Sequence, residues 1–208
     1  MTCIVGLIDE DYVYIGGDRL ATDGSGHKYK MCEEKVWSKG SKMIFGCAGD
    51  LRELQLLEYG TAIPPLKEGQ LIEEYIVLDL VNSFKQSLHE GGALEDIDNV
   101  EKIGSMLLMG FDGRLFNFDP RFAFTEHNDG FMAVGSGRSY ALGSLYSTQN
   151  SDTSSEDRIK LALECAEHYN AYVEGEYDIV KIPRKPEESV GLDMDKILKR
   201  ANEKMKEG

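Results

Sequence analysis

The sequence predicts an α+β fold, a four-layer αββα sandwich in which two stacked, mostly antiparallel sheets lie between two pairs of helices. Three observations lead there. Short apolar runs of strand length come in blocks. The blocks alternate with pairs of amphipathic helices. Each helix pair must bury its apolar stripe on a sheet face. At 208 residues, one domain is the expectation, and the chain is long enough to bury a core without staples.

Taken in order, residues 3–8 (Cys-Ile-Val-Gly-Leu-Ile) and 12–15 are apolar runs joined by the polar turn Asp9-Glu10-Asp11, which reads as two strands buried on both faces. Gly16-Gly17-Asp18 closes the second strand, and the polar, glycine-bearing stretch 22–30 reads as a loop. Lys35-Val36-Trp37 and Met43 to Ala48 make the next strand pair, broken by Ser38-Lys39-Gly40-Ser41. Asp50 can cap a helix, with Glu53 as its reciprocal partner three residues on; Gly60 and Pro64-Pro65 stop it. A second helix, 70–90, carries a stripe at Val77, Leu80, Val81, Phe84 and Leu88 and ends at Gly91-Gly92. The period then returns to strands. Segments 105–111 and 114–118 flank Asp112-Gly113, the strongest short hairpin signal, and 122–125 and 131–134 flank a turn containing Asp129-Gly130. Residues 139–146 read as a short helix rich in small residues. Ser154 and Asp157 form a capping box that opens a helix running to Asn170, with its stripe at Ile159, Ala162, Leu163, Ala166 and Tyr169. The last strand is 177–182. Pro183 and Pro186 mark a boundary between a body, 1–184, and a tail, 185–208. The tail reads as a polar linker and an amphipathic helix with apolar positions at Met194, Ile197, Leu198, Ala201 and Met205, expected to dock on its own domain or on a neighbouring copy.

Charge narrows the function classes. Lys plus Arg number 23 and Asp plus Glu 37, a net charge of −14, which argues against nucleic-acid phosphate and against anionic membranes as partners. Hydrophobic residues make up 41% and charged ones 29%, a soluble globular balance rather than a disordered one. No apolar run reaches the roughly 18 residues of a spanning helix, and no basic-then-apolar leader precedes the first strand, so a cytoplasmic location is expected. Cys3, Cys32, Cys47 and Cys165 show no metal-ligand spacing. No metal and no cofactor is expected, and Cys47 and Cys165 read as small buried hydrophobes.

The N-terminus carries chemistry. Removal of Met1, which a small second residue permits, leaves Thr2 with a free α-amine. A hydroxyl is a poor nucleophile until a base takes its proton, and an adjacent amine of pKa roughly 7.7–8.0 can do so near neutral pH. Thr2-Cys3-Ile4-Val5-Gly6 is followed by Ile15-Gly16-Gly17-Asp18-Arg19-Leu20-Ala21-Thr22-Asp23-Gly24, then Lys35-Val36, Ala48-Gly49 and Gly135-Ser136-Gly137. Over residues 2–182 this ordered set resembles the N-terminal nucleophile (Ntn) hydrolases of the proteasome β-subunit group, and within it the heat-shock-locus V (HslV) type, whose fold is the αββα sandwich.

The resemblance implies a threonine peptidase that cuts peptides or unfolded protein, assembled as a homo-oligomeric ring with an ATPase unfoldase as partner. It makes Thr2 the nucleophile and Asp18 the buried carboxylate that holds the catalytic Lys35. It makes Gly49 the oxyanion-hole donor and Ser136 a proton-relay serine. Thr22 would pair with an extended substrate, and Ala21, Cys47 and Trp37 would wall a pocket for a medium apolar side chain. Three positions depart from the pattern. Asn170 and Val173 stand where the family carries Asp and Ser, and Asp50 replaces a glycine after the oxyanion position. These departures keep two alternatives open: an amidohydrolase acting on a small amide by the same chemistry, and an assembly subunit that has lost the chemistry.

Overall fold

The computed structural model describes residues 2–23, 25–97 and 99–184; the expected tail helix lies outside the described residues. The chain opens with β1 Cys3–Ile8 and β2 Tyr12–Asp18, then a short pair, β3 Leu20–Thr22 and β4 Lys28–Lys30, then β5 Val36–Lys39 and β6 Met43–Ala48. Helix α1 Leu51–Gln55 continues into a π-helical turn, Leu56–Gly60. Helix α2 Ile72–Glu74, a second π-helical segment Tyr75–Leu80, and α3 Val81–Glu90 form one continuous rod. A small hairpin, β7 Glu95–Ile97 and β8 Val100–Lys102, precedes β9 Met106–Phe111, β10 Arg114–Phe118, β11 Phe124–Glu126 and β12 Phe131–Gly135. Helices α4 Arg138–Ser147 and α5 Ser155–Tyr169 and strand β13 Tyr177–Pro183 complete the order.

The predicted four layers are present. One sheet runs β12-β1-β2-β13 and the other β11-β10-β9-β6-β5, with every pairing antiparallel. Period-2 alternation sorts the side chains. In β1, Cys3, Val5 and Leu7 face α4 and α5, while Ile4 faces the other sheet. In β6, Met43, Phe45 and Cys47 face α1 to α3, while Ile44 and Ala48 face inward. The outer aromatic layer locks around Phe84, whose ring meets Phe45 and Phe118 edge-on at 6.0 and 6.1 Å. The inner layer is thin at Gly46, where an added Cβ would come within 2.5 Å of Ile4 and 2.8 Å of Ile15.

Several expectations change. Segment 22–30 is not a plain loop but contains most of the β3–β4 hairpin; every residue of β4 is exposed, so no apolar period marks it. The β7–β8 hairpin has the same character, turning at Asn99 with φ 61°. Strand β2 includes Gly16 and Gly17 and ends at Asp18, as expected. Strands β11 and β12 do not pair with each other: β11 joins β10 in one sheet and β12 joins β1 in the other. Val77, expected on the apolar stripe, is 50% exposed. The π-helical register between Tyr75 and Leu80 instead buries Tyr75, Ile76 and Leu80 ahead of Val81, Phe84 and Leu88. Tyr169 is exposed at the end of α5, and Cys165 is only half-buried. Asp50 caps α1 by accepting the Arg52 and Glu53 N–H groups. The reciprocal half of the capping box is missing, because Glu53 accepts the Gly104 N–H at 2.8 Å instead.

Gly46→Val is expected to lower unfolding free energy by at least about 1–3 kcal/mol, since the inner layer has no room for the added methyls. Urea denaturation measures it, with the slope of the transition unchanged if the fold is kept.

Candidate active site

Three buried polar residues meet where the two sheets open at one end. The β1–β2 register sets Ile4 opposite Gly17 and brings Asp18 beside Cys3. Asp18 is 0% exposed. Its carboxylate accepts the N–H of Cys3 at 2.9 Å and of Leu20 at 3.0 Å. Lys35 precedes β5, and its carbonyl accepts the Cys47 N–H at 3.0 Å, which fixes the chain next to β6. Its side chain crosses to Asp18 Oδ2 at 3.0 Å, to the Leu20 carbonyl at 2.5 Å and to Thr2 Oγ1 at 2.5 Å. An ammonium has three protons, and these three acceptors use all of them.

Burial pulls the Lys35 pKa below its ordinary value, with Asp18 opposing. Burial also pushes the Asp18 carboxyl up, with Lys35 and the two backbone donors pulling it back. Each charge is therefore tolerable only because the other is present. Because Lys35 already donates to Thr2 Oγ1, the hydroxyl keeps its own proton for another acceptor, and a cation so placed would favour the deprotonated oxygen.

The Gly135-Ser136-Gly137 turn grips Thr2 from the other side. The Thr2 carbonyl accepts the Ser136 hydroxyl at 3.3 Å and the Gly137 N–H at 3.4 Å. Gly135 has φ +91°, a backbone conformation that favours glycine. At Gly137 a Cβ would press within 3.0 Å of Cys3, Ala166 and Val173. Ser136 thus contacts the Thr2 backbone rather than its hydroxyl.

A cleft of about 40 Å³ is lined by Thr2, Leu20, Ala21, Thr22, Lys35, Cys47, Gly49, Leu51 and Leu54. Of the residues expected at the site it contains Thr2, Ala21, Thr22, Lys35, Cys47 and Gly49, with Asp18 behind Lys35 and Ser136 at the Thr2 carbonyl. Trp37 is not part of its wall. That ring is stacked on Phe45 in the layer beneath. The Gly49 N–H donates to no acceptor among the described residues. The Cys47 thiol is pushed up to about 12 by burial and acts as an apolar wall. Leu20, Leu51 and Leu54 are lining residues that motif reasoning missed. Leu20 could have been found two residues after Asp18, but nothing in the sequence points to the leucines of α1.

The departures have structural roles. Asp50 spends its carboxylate as the α1 cap. Asn170 ends α5, and its side chain accepts the Tyr172 N–H at 2.9 Å. Val173 is 2% exposed and packs among Cys3 and Ala166. Among the described residues, no cluster of His, Cys, Asp and Glu could hold a metal ion, and no helix is long and apolar enough to cross a membrane.

The family model for the proteasome subunit matches residues 1–175. A proteasome subunit beta from Methanocaldococcus jannaschii is 29% identical over 165 residues, 78% of this chain and 71% of that protein. Among solved structures, BPH of Thiobacillus denitrificans in complex with epoxomicin superposes with a TM-score of 0.73 at 18% identity, covering 88% of this chain and 100% of that one. Eukaryotic HslV from Trypanosoma brucei gives 0.64 at 18% identity, covering 88% and 99%. At such identities these two structures speak to the fold.

Removing one partner of the buried pair strands the other. Asp18→Ala is expected to cost about 3–5 kcal/mol of stability, read by urea unfolding. The double variant Asp18→Ala/Lys35→Met is expected to cost less than the sum of the two single changes.

Proposed function

Because the chain belongs to the proteasome subunit family, we propose that it is a threonine peptidase in which Thr2, once Met1 is removed, attacks the peptide carbonyl. The observation that carries this reading is the 2.5 Å contact from Lys35 Nζ to Thr2 Oγ1 inside a fully committed, buried donor set. The α-amine of Thr2 takes the hydroxyl proton, since Lys35 has no free lone pair while protonated. Lys35 stabilises the alkoxide and disfavours a second positive charge on the amine. The alkoxide adds to the carbonyl, and the Gly49 N–H receives the oxyanion. The amine then returns its proton to the leaving nitrogen, leaving an ester on Thr2 that water hydrolyses with the same amine as base.

Strand β3 supplies an edge beside the cleft, so an extended peptide fits there by strand addition along Ala21 and Thr22. The walls of Ala21, Cys47 and Leu54 and the small volume favour a compact apolar side chain next to the cut bond. A ring of copies with an ATPase unfoldase completes the reading. The exposed Val77, Leu78, Tyr146 and Tyr169 on the outer helices support it as apolar surface for subunit contact.

A second reading, a non-catalytic assembly subunit, is favoured by one observation: Asn170 and Val173 serve the α5 terminus and the core and do not reach the Thr2 hydroxyl. Intact mass, a peptide-amide assay and epoxomicin, whose epoxyketone is electrophilic, separate the readings. The peptidase reading expects a mature chain beginning at Thr2, an epoxomicin adduct mapped to Thr2, and Thr2→Ala activity lower by a factor of roughly 10³ or more. A processed chain that forms no adduct identifies the assembly subunit. A monomer that cleaves small amides but no unfolded protein identifies the small-amide hydrolase. The pH profile carries a sign. The amine must be unprotonated, so kcat/KM falls with acidity, and the neighbouring Lys35 cation sets that limb below about 7.7, the ordinary α-amine value.

A further inference from the structure

One buried hydroxyl beside the cleft has no part in this scheme. Ser105, just before β9, is 0% exposed. Its Oγ accepts the Asp50 N–H at 2.9 Å. Its Cα lies so close to Gly49 that an added Cβ there would come within 2.5 Å of it. A parallel contact, Gly104 N–H to Glu53 Oε1 at 2.8 Å, ties the same segment to α1. The 104–105 segment is therefore latched at two points to the 50–53 turn.

Gly49 is the one residue between two fixed points. Ala48 is held in the ladder opposite Met106, and the Asp50 N–H is held by Ser105. With both neighbours fixed, the Gly49 peptide has little torsional freedom, so its free N–H keeps one direction. A donor contributes to oxyanion stabilisation only within about 2.7–3.1 Å of the developing charge.

We propose that Ser105 is the positioning residue of the oxyanion hole, holding the Gly49–Asp50 turn so that the Gly49 N–H stays aimed at the carbonyl oxygen of a substrate on Thr2. This rests on the peptidase reading. Without the hydroxyl, the part-buried Asp50 N–H loses its partner and the turn is free to rotate, taking the Gly49 donor with it. Ground-state binding along β3 is untouched, so the loss falls on kcat.

The test uses the full-length, N-terminally processed protein and a peptide-amide substrate, with active sites counted by epoxomicin titration. The unsubstituted chain, Ser105→Ala and Ser105→Cys are compared. Turnover per titrated site counts only folded, processed molecules, so partial loss of fold does not mimic the effect. Ser105→Ala is expected to lower kcat per site by about tenfold or more, less than the roughly 10²–10³ for outright loss of a donor. KM should stay within about threefold. Ser105→Cys, whose sulfur is a weak acceptor, is expected in between. Unchanged kcat per site in Ser105→Ala, or a change confined to KM, overturns the proposal. If the unsubstituted chain forms no adduct and cleaves nothing, the peptidase reading falls and takes this inference with it. That outcome is visible before any variant is made.

Discussion

A lysine side chain at 3% exposure cannot keep its charge unless other groups compensate it, and the neighbourhood of Lys35 is arranged around that need. Asp18 supplies the opposite charge. Leu20 supplies a carbonyl and Thr2 a hydroxyl. The carboxylate that makes Lys35 tolerable is itself held by two backbone N–H groups, from Cys3 and Leu20. One buried pair therefore pins the start of β1, the exit of β2 and the approach to β5. Loss of either partner would leave the other charge buried and uncompensated, at a cost of several kcal/mol, a large share of a typical domain's stability. The electrostatics that poise the hydroxyl and those that close this end of the sandwich are the same.

The rest of the fold serves this pair by keeping the two sheets in register. β1 and β6 each send alternate residues into the inner layer, and glycine at 46 lets the sheets approach closely. The outer helices cover the remaining faces without entering the cleft, except α1. That helix is capped by Asp50, immediately after Gly49, and contributes Leu51 and Leu54 to the cleft. A larger groove of about 680 Å³ opens at the other end of β6, among Met43, Ile63, Tyr75 and Phe111. No Ser, Thr or Cys lining it is held by a buried charge, as Thr2 is by Lys35.

Most of the architecture was legible because period and capping are local. The strands of the two sheets, the α5 cap at Ser154 and the turn at Asp112-Gly113 follow from residues adjacent in sequence. Three kinds of feature were not legible. The exposed hairpins β3–β4 and β7–β8 bury little and so leave no apolar rhythm. The π-helical register changes which residues of 75–81 are inward, and no apolar period in the sequence marks it. The assignment of β11 and β12 to different sheets is a tertiary choice that their shared turn hides. At the site, Thr2, Asp18, Lys35 and Gly49 could be picked out by the resemblance of their motifs to the proteasome β-subunit group. Ser105 and Leu54 could not, because only the fold brings Ser105 against the Gly49–Asp50 turn and Leu54 to the cleft. Trp37 shows the opposite error, a residue near in sequence to the site that belongs to the aromatic layer.

The three-way commitment of the Lys35 protons has a consequence for the charge of the site as a whole. If the hydroxyl proton moves only to the α-amine of the same residue, the cluster of Thr2, Lys35 and Asp18 gains one negative and one positive centre together. Its net charge stays constant from resting enzyme to alkoxide. A surface field acts on net charge far more than on a proton shifted within one residue. The strongly acidic body, at −14, then neither helps nor hinders the attacking step. The reaction is insulated from the protein's own surface, which is free to vary in charge for solubility and assembly.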